Sequence, residues 1–183
     1  MDGLYAALDP VEVVVIEGSE SDDWLILDSK LPEIFAEVGI NYRVTVASAH
    51  RHACQGLLPD YLKFCWESGT REYVGIAGMA AVLPGIIAAN LSEAIVYGVP
   101  VPNEKDFLRD LAALLAIIES PPGTVVRCCG RGPEGLTNTA LAICQDFSIP
   151  RSNPKIYAQT LAEYRQTAAK KKPMIPNHTP QRK

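Results

Sequence analysis

A histidine and an arginine stand side by side at positions 50 and 51, directly after an alternating β-branched run. Histidine is a side chain that titrates near neutral pH in general, so a histidine at position 50 can carry protons in a reaction. The guanidinium of Arg51 offers a rigid fork of donors that suits a phosphate group. Ser48 adds a hydroxyl that can bond a phosphate oxygen or cap a loop. These residue types indicate proton transfer beside an anionic ligand, and the alternative is a strand end that faces water.

A second polar cluster follows the first apolar run of the chain. Residues 12–16 (EVVVI) show no polar alternation, which is typical of a parallel strand buried on both faces. The turn that follows places a flexible glycine and short polar side chains before a predicted helix: Gly18, Ser19, Ser21 and Asp22. A strand, a Gly/Ser turn and a helix N-terminus can form an anion site. The same turn also fits an ordinary capped helix start.

The composition restricts the class of protein. A chain of 183 residues suggests one domain with a substantial core, and a net charge of −4 argues against nucleic acid as the partner. No apolar run is long enough to cross a membrane, and the first residues lack the pattern of a secretory signal. The five cysteines include no C-x-x-C pair, so we expect neither a disulfide framework nor a metal site, and a reducing cytoplasm fits.

Short apolar runs alternate with helical patterns along most of the chain. This alternation predicts parallel βαβ units with right-handed crossovers, hence a three-layer α/β fold. The helical stretch 24–38 contains Pro32, so either it kinks there or a second helix begins with Pro32 in its first turn and Ser29 as cap. The predicted strands are 12–16, 42–47, 73–76, 94–97 and 124–127. The other predicted helices are 59–67, 82–91, 107–118 and 136–147, the last after a glycine-rich turn at 130–135.

The C-terminal part lies outside this alternation. Residues 153–169 predict a further helix, so that a single domain spans residues 1–170 and a mobile tail spans 171–183. One side of that helix carries an apolar stripe, which predicts a homo-oligomer. The stripe consists of Ile156, Tyr157, Leu161 and Tyr164.

Several motifs, in order and at similar spacing, resemble one family. They are Gly18-Ser19-Glu20-Ser21-Asp22, Ser48-Ala49-His50-Arg51, the small-residue stretch 77–85 and Gly98-Val99-Pro100-Val101. This set is similar to the PurE-type enzymes, which are the carboxyaminoimidazole ribonucleotide mutases and the related aminoimidazole ribonucleotide carboxylases of purine synthesis. The likeness runs from about residue 13 to residue 147.

The resemblance implies a flavodoxin-like domain, a cytoplasmic octamer without metal or cofactor, and a carboxyl shift on an aminoimidazole ribonucleotide with CO2 as intermediate. His50 would be the general acid/base. The phosphate and ribose would be held by Ser19, Ser21, Asp22, Ser48 and Arg51. The rest of the substrate site would comprise Gly18, Ala49, Gly78, Ala80, Ala81 and Leu83, with the small-residue loop against the imidazole ring.

Four departures from the family pattern surround this site. Val82 stands where the mutases usually have histidine, and Met79 stands where they usually have glycine. The segment after Arg51 is longer than usual, and the segment 102–110 differs from the usual loop. Two alternatives therefore stand beside the mutase interpretation: an enzyme acting on another carboxylated heterocyclic nucleotide, and a non-catalytic nucleotide-binding assembly.

Overall fold

The apolar run at 12–16 lies at the centre of the protein. In the computed structural model, which describes Tyr5, residues 8–53 and residues 55–148, it belongs to a four-stranded parallel sheet of order β2-β1-β3-β4. Strands β1 and β3 are buried along their whole length because each pairs on both sides beneath helices. The strands are β1 (Val13–Glu17), β2 (Tyr42–Val46), β3 (Glu72–Ala77) and β4 (Ile95–Pro100).

Helices cover both faces of this sheet. Alternate residues of β1 face opposite layers, with Val13 and Val15 in one core cluster and Val14 and Ile16 in the other. The first cluster is completed by α1 (Asp23–Asp28), α2 (Leu31–Val38) and α7 (Gly132–Ser148). The second is completed by α3 (Ala49–His52), α4 (Leu57–Glu67), α5 (Leu83–Asn90) and α6 (Phe107–Ile118). The predicted three-layer, flavodoxin-like α/β fold is confirmed.

The stretch around Pro32 forms two helices, not one kinked helix. Helix α1 ends at Asp28, and α2 begins at Leu31 with Pro32 in its first turn. The hydroxyl of Ser29 accepts a hydrogen bond from the Leu31 amide at 3.2 Å, which satisfies a donor that the helix leaves unpaired. The second of the two sequence alternatives is therefore the correct one.

The predicted fifth strand at 124–127 is wrong. Within the described residues, this segment meets the sheet through a single parallel bridge between Tyr97 and Arg127. The Arg127 amide donates to the Val96 carbonyl, and the Arg127 carbonyl accepts from the Gly98 amide, each at 2.8 Å. The Arg127 side chain then bonds the Tyr97 hydroxyl and pairs with Asp146 of α7. The segment therefore makes one ladder step and is held to β4 and α7 by the Arg127 side chain, without forming a strand.

The predicted glycine-rich turn at 130–135 is also partly wrong, because α7 begins inside it at Gly132. A Cβ atom at Gly135 would lie only 2.3 Å from the carbonyl carbon of Gly130. Two glycines thus allow the incoming chain to touch the first turn of the helix, and the helix starts earlier than the apolar pattern indicates.

Two predictions fall on residues that the structure does not describe. The helix at 153–169 and the tail at 171–183 lie outside the described residues, and so does the apolar stripe from which oligomer formation was predicted. Among the helices that are described, none combines the length and the apolar character needed to span a bilayer.

Candidate functional site

The loops that follow the four strands meet at the carboxyl edge of the sheet and line a cleft of about 420 Å³. This is the edge where open parallel sheets bind their ligands. Of the predicted site residues, all but Ala80 line the cleft: Gly18, Ser19, Ser21, Asp22, Ser48, Ala49, His50, Arg51, Gly78, Ala81 and Leu83. Ala80 is exposed outside it. The fold thus brings together side chains that lie more than 60 residues apart in the chain.

The turn after β1 is organised by its own hydroxyl groups. The Ser19 hydroxyl accepts from the Ser21 amide at 3.3 Å and from the Ser21 hydroxyl at 3.0 Å. Ser21 also lies 3.4 Å from a carboxylate oxygen of Asp22. Partial burial raises the pKa of Asp22, the Ser21 bond opposes that rise, and the charge of Asp23 adds to it. Hydroxyl and carboxyl oxygens are therefore arranged at the cleft before any ligand arrives.

The loop after β2 holds His50 and Arg51 on a one-turn helix. The Ser48 hydroxyl caps this helix by accepting from the Arg51 amide at 3.3 Å. Ser48 itself is buried, whereas the side chains of His50 and Arg51 are exposed to the cleft. A rigid base thus presents both functional groups to a ligand.

His52 stabilises this loop through two hydrogen bonds with Ser48. Its Nδ1 accepts a hydrogen bond from the Ser48 amide at 3.0 Å, and its own amide donates to the Ser48 carbonyl at 2.9 Å. The imidazole ring lines a neighbouring cavity and not the cleft. Of the two histidines that flank Arg51, His50 is therefore the one placed to meet a ligand.

The small-residue loop after β3 carries a strained backbone. Met79 has a φ of 55° and Ala81 a φ of 38°, both in the left-handed region that favours glycine. The Ala81 amide closes a tight turn on the Gly78 carbonyl at 2.9 Å. Gly78 lies so close to Val101 that a Cβ atom there would be 3.4 Å from the valine side chain. The loop therefore stays close to the chain that leaves β4.

We expect Met79→Gly to raise the free energy of unfolding by about 1 kcal/mol, because glycine removes a left-handed penalty of roughly 1–2 kcal/mol and loses part of that gain to unfolded-state entropy. Chemical denaturation measures the change. Met79→Ala is the matched control, since it removes the exposed side chain but retains the Cβ atom. An equal gain in both variants would show that the side chain, not the backbone, causes the effect.

Sequence reasoning placed the segment 102–110 around the site but assigned no site residue to the loop after β4. Val101, Pro102 and Asn103 line the cleft opposite the histidine loop. The Val101 amide donates to the Ala77 carbonyl at 3.0 Å, and the Asn103 amide donates to Asp110 at 3.2 Å. The hydrogen bond from the Asn103 amide is the main cause that lowers the pKa of Asp110, and the ion pair with Arg131 lowers it further. The available signal was topological, because the end of β4 must open onto the same edge of the sheet as the other strand ends.

The cleft combines an exposed imidazole, a guanidinium, several hydroxyls and a carboxyl group beside small and apolar side chains. This combination suits a small phosphorylated ligand with hydroxyl groups and a flat apolar part. Within the part of the chain that the structure describes, no cluster of three or more His, Cys, Asp or Glu side chains forms a candidate metal site.

Comparison with known proteins identifies the family. The sequence profile of the AIR carboxylase family matches residues 12–171. The chain belongs to the AIR carboxylase family. The match spans most of the chain and includes every residue of the cleft, so the PurE-type resemblance drawn from the motifs is confirmed.

Three curated relatives of this AIR carboxylase family member carry the same name. The N5-carboxyaminoimidazole ribonucleotide mutase of Methanocaldococcus jannaschii is 35% identical over 87% of this chain and 91% of its own length. The mutase of Vibrio cholerae is 34% identical over 82% of this chain and 88% of its own. The mutase of Saccharolobus solfataricus is 36% identical over 75% and 82%. The likeness therefore covers most of both chains in each pair.

Proposed function

We propose that this protein catalyses a step of purine synthesis, the conversion of N5-carboxyaminoimidazole ribonucleotide to 4-carboxy-5-aminoimidazole ribonucleotide. The observation that carries the proposal is the meeting of His50, Arg51 and the hydroxyl-rich turn in one cleft of an AIR carboxylase family member. Curated relatives of similar length are named as mutases of this substrate, which supports the same conclusion.

The polar loops divide the binding of such a nucleotide between them. The guanidinium of Arg51 and the capping hydroxyl of Ser48 suit the phosphate group, because charge-assisted donors bind it most strongly. The Ser19 and Asp22 oxygens suit ribose hydroxyls, which need acceptors. The ring would then lie against the small-residue loop between Gly78 and Ala81, where few side-chain atoms prevent a close approach.

The carboxyl shift requires two proton transfers, one to the exocyclic nitrogen and one from the ring carbon. Together they leave the histidine in its initial protonation state. When the bond between the exocyclic nitrogen and the carboxyl carbon breaks, CO2 leaves and the nitrogen takes a proton from protonated His50. The ring carbon then forms a bond to the same CO2 and must lose its hydrogen, which neutral His50 accepts. One imidazole side chain can serve both movements, because it can donate a proton in one step and accept one in the next. The cleft must hold CO2 between the two, and a small, partly apolar enclosure suits that task.

The direct test is an assay of the purified full chain. N5-carboxyaminoimidazole ribonucleotide is supplied as substrate, and its loss and the formation of the 4-carboxy product are followed by absorbance. We expect turnover by the wild-type protein, and we expect His50→Asn to reduce it to near background. Binding of the nucleotide without conversion in the wild-type protein would contradict the proposal and favour a nucleotide-binding assembly.

One observation favours a second candidate function, carboxyl chemistry on a different heterocyclic nucleotide. Met79 and Val82 are both exposed at the cleft, with 69% and 38% of their surface accessible, and both are apolar at positions that would face the ring. Thermal-shift measurements with a set of mononucleotides separate the two candidates. Stabilisation by aminoimidazole ribonucleotide alone would exclude the second.

We also propose a cytoplasmic homo-oligomer of eight subunits. Helix α6 supports association, because Phe107, Leu108 and Ile118 expose 73%, 74% and 51% of their surfaces. Edge strand β2 adds two exposed valines, Val44 and Val46. We expect light scattering to return a mass about eight times that of the 19.9 kDa chain. A particle with the mass of one chain would contradict this prediction.

A further inference from the structure

Glu17 lies at the junction of three of the loops that form the cleft. It is the last residue of β1, and its carbonyl accepts from the amide of Ala47, the residue before Ser48, at 2.8 Å. The next amide, that of Gly18, donates to the carbonyl of Ile76 at 2.9 Å, just before the small-residue loop. Glu17 therefore links the histidine loop, the small-residue loop and the Ser19–Asp22 turn.

The side chain of Glu17 is unusual at this junction because it is a carboxyl group with no accessible surface. Among the described residues, neither of its oxygens makes a hydrogen bond of regular geometry, but the Asp23 side chain interacts with it as a hydrogen-bond partner that favours the protonated acid. The residues in register on the flanking strands are Val46 and Ile76, which carry no charge. The charges that act on Glu17 come from Asp23 and Asp22, and both are negative.

These surroundings keep Glu17 uncharged. Burial raises its pKa to about 8, the side-chain hydrogen bond with Asp23 adds to the rise, and so do the negative charges of Asp23 and Asp22. A buried, unpaired carboxylate is strongly unfavourable, whereas the neutral acid is tolerated. Glu17 would therefore gain a charge only at alkaline pH, close enough to interact with the carboxylates of Asp22 at the end of the turn and Asp23 at the start of α1.

We propose that Glu17 is a positioning residue for the cleft: its uncharged carboxyl group keeps the Ser19–Asp22 turn seated on the sheet, and its ionisation displaces that turn and weakens nucleotide binding. The mechanism is repulsion among three carboxylates together with hydration of the newly charged group. The helix that carries His50 and Arg51 is still capped by Ser48. The affinity that is lost is therefore the part contributed by the Ser19–Asp22 turn. The binding part of this proposal rests on the proposed function, but the movement of the turn does not.

The first experiment detects displacement of the Ser19–Asp22 turn in the absence of any ligand. Trp24 lies two residues after the turn, in the first turn of α1, and is 40% exposed, so its fluorescence reports displacement there. Trp66→Phe removes the second tryptophan while keeping an aromatic ring beside Arg71. In this background we expect a fluorescence step with a midpoint near pH 8 that Glu17→Gln abolishes. Steps in both proteins, or in neither, would overturn the proposal.

The second experiment measures KM for N5-carboxyaminoimidazole ribonucleotide across the same pH range. With Glu17 present we expect KM to rise about tenfold at one pH unit above the fluorescence midpoint, since about a tenth of the protein then keeps the neutral acid. In Glu17→Gln the rise should be absent. Glu17→Met, an apolar side chain of similar length, should behave like Glu17→Gln.

Glu72 offers a matched control. It is a buried carboxyl residue, 2% exposed, at the opposite end of the sheet where β3 begins. Glu72→Gln should retain both the fluorescence step and the KM rise. Absence of turnover in every protein would refute the proposed function and leave the fluorescence result to decide the role of Glu17. A normal step without any KM rise would overturn the positioning role itself.

Discussion

His50→Asn should lower kcat by about two to four powers of ten, the range that general acid/base catalysis contributes. Asparagine keeps the polarity and approximate size of histidine but cannot carry a proton near neutral pH. Because His50 is exposed on a one-turn helix whose cap involves Ser48 and Arg51, its replacement should leave the loop intact. KM should therefore change little, and steady-state kinetics with N5-carboxyaminoimidazole ribonucleotide measures both constants.

Arg51→Ala provides the contrast for that result. Loss of a charge-assisted phosphate contact is worth about 1.5–3 kcal/mol, so KM should rise by roughly tenfold or more while kcat changes less. The Arg51 amide, which the Ser48 hydroxyl caps, is retained in this variant. Turnover of His50→Asn within about threefold of wild type, far below the general acid/base range, would refute proton transfer by His50. Equal losses of kcat in both variants would instead indicate a disturbed loop.

The alternation of apolar runs was sufficient to predict the sheet and its layers. Residues 13–16 are fully buried because β1 pairs on both sides, and a run without polar alternation is the pattern that such a position produces. Segment 124–127 looked similar, but Val125 is 72% exposed and only Arg127 bridges to the sheet. Local β-propensity cannot reveal that this segment pairs with the sheet for one step only.

The candidate site was predictable where its residues follow a strand within a recognisable motif. His50 and Arg51 stood out by their side chains, and Ser19 and Asp22 by the turn that holds them. Asn103 lies in no such motif. Its position at the cleft depends on the hydrogen bond from its amide to the carboxylate of Asp110, seven residues later in the chain.

The role of Glu17 could not be predicted from the sequence, because its burial is contrary to what its residue type predicts. A carboxylate at the end of an apolar run is expected at the surface, where its charge is hydrated. The structure extends β1 by one residue and buries this side chain. Only the three-dimensional arrangement shows that this side chain is buried and interacts with Asp22 and Asp23.

The burial of Glu17 should also make stability depend on pH. Its pKa is about 8 in the folded protein, against 4.5 for an unperturbed glutamate, so the unfolded chain releases this proton first. The contribution of Glu17 to stability is therefore fully present below about pH 4.5 and is lost as the pH rises toward 8. Each pH unit in that window weakens folding by about 1.4 kcal/mol.

Comparison with Glu17→Gln isolates this effect, since every other titrating group is common to both proteins. We expect the difference in unfolding free energy, variant minus wild type, to grow by roughly 3–4 kcal/mol between about pH 5 and pH 8 and then to level off. Chemical denaturation at one fixed protein concentration measures it, because association would otherwise shift the apparent stability. Stability curves that run parallel across this range would show that Glu17 is already ionised near pH 5. A charged Glu17 would then have a partner in the folded protein, and the positioning role would lose its physical basis.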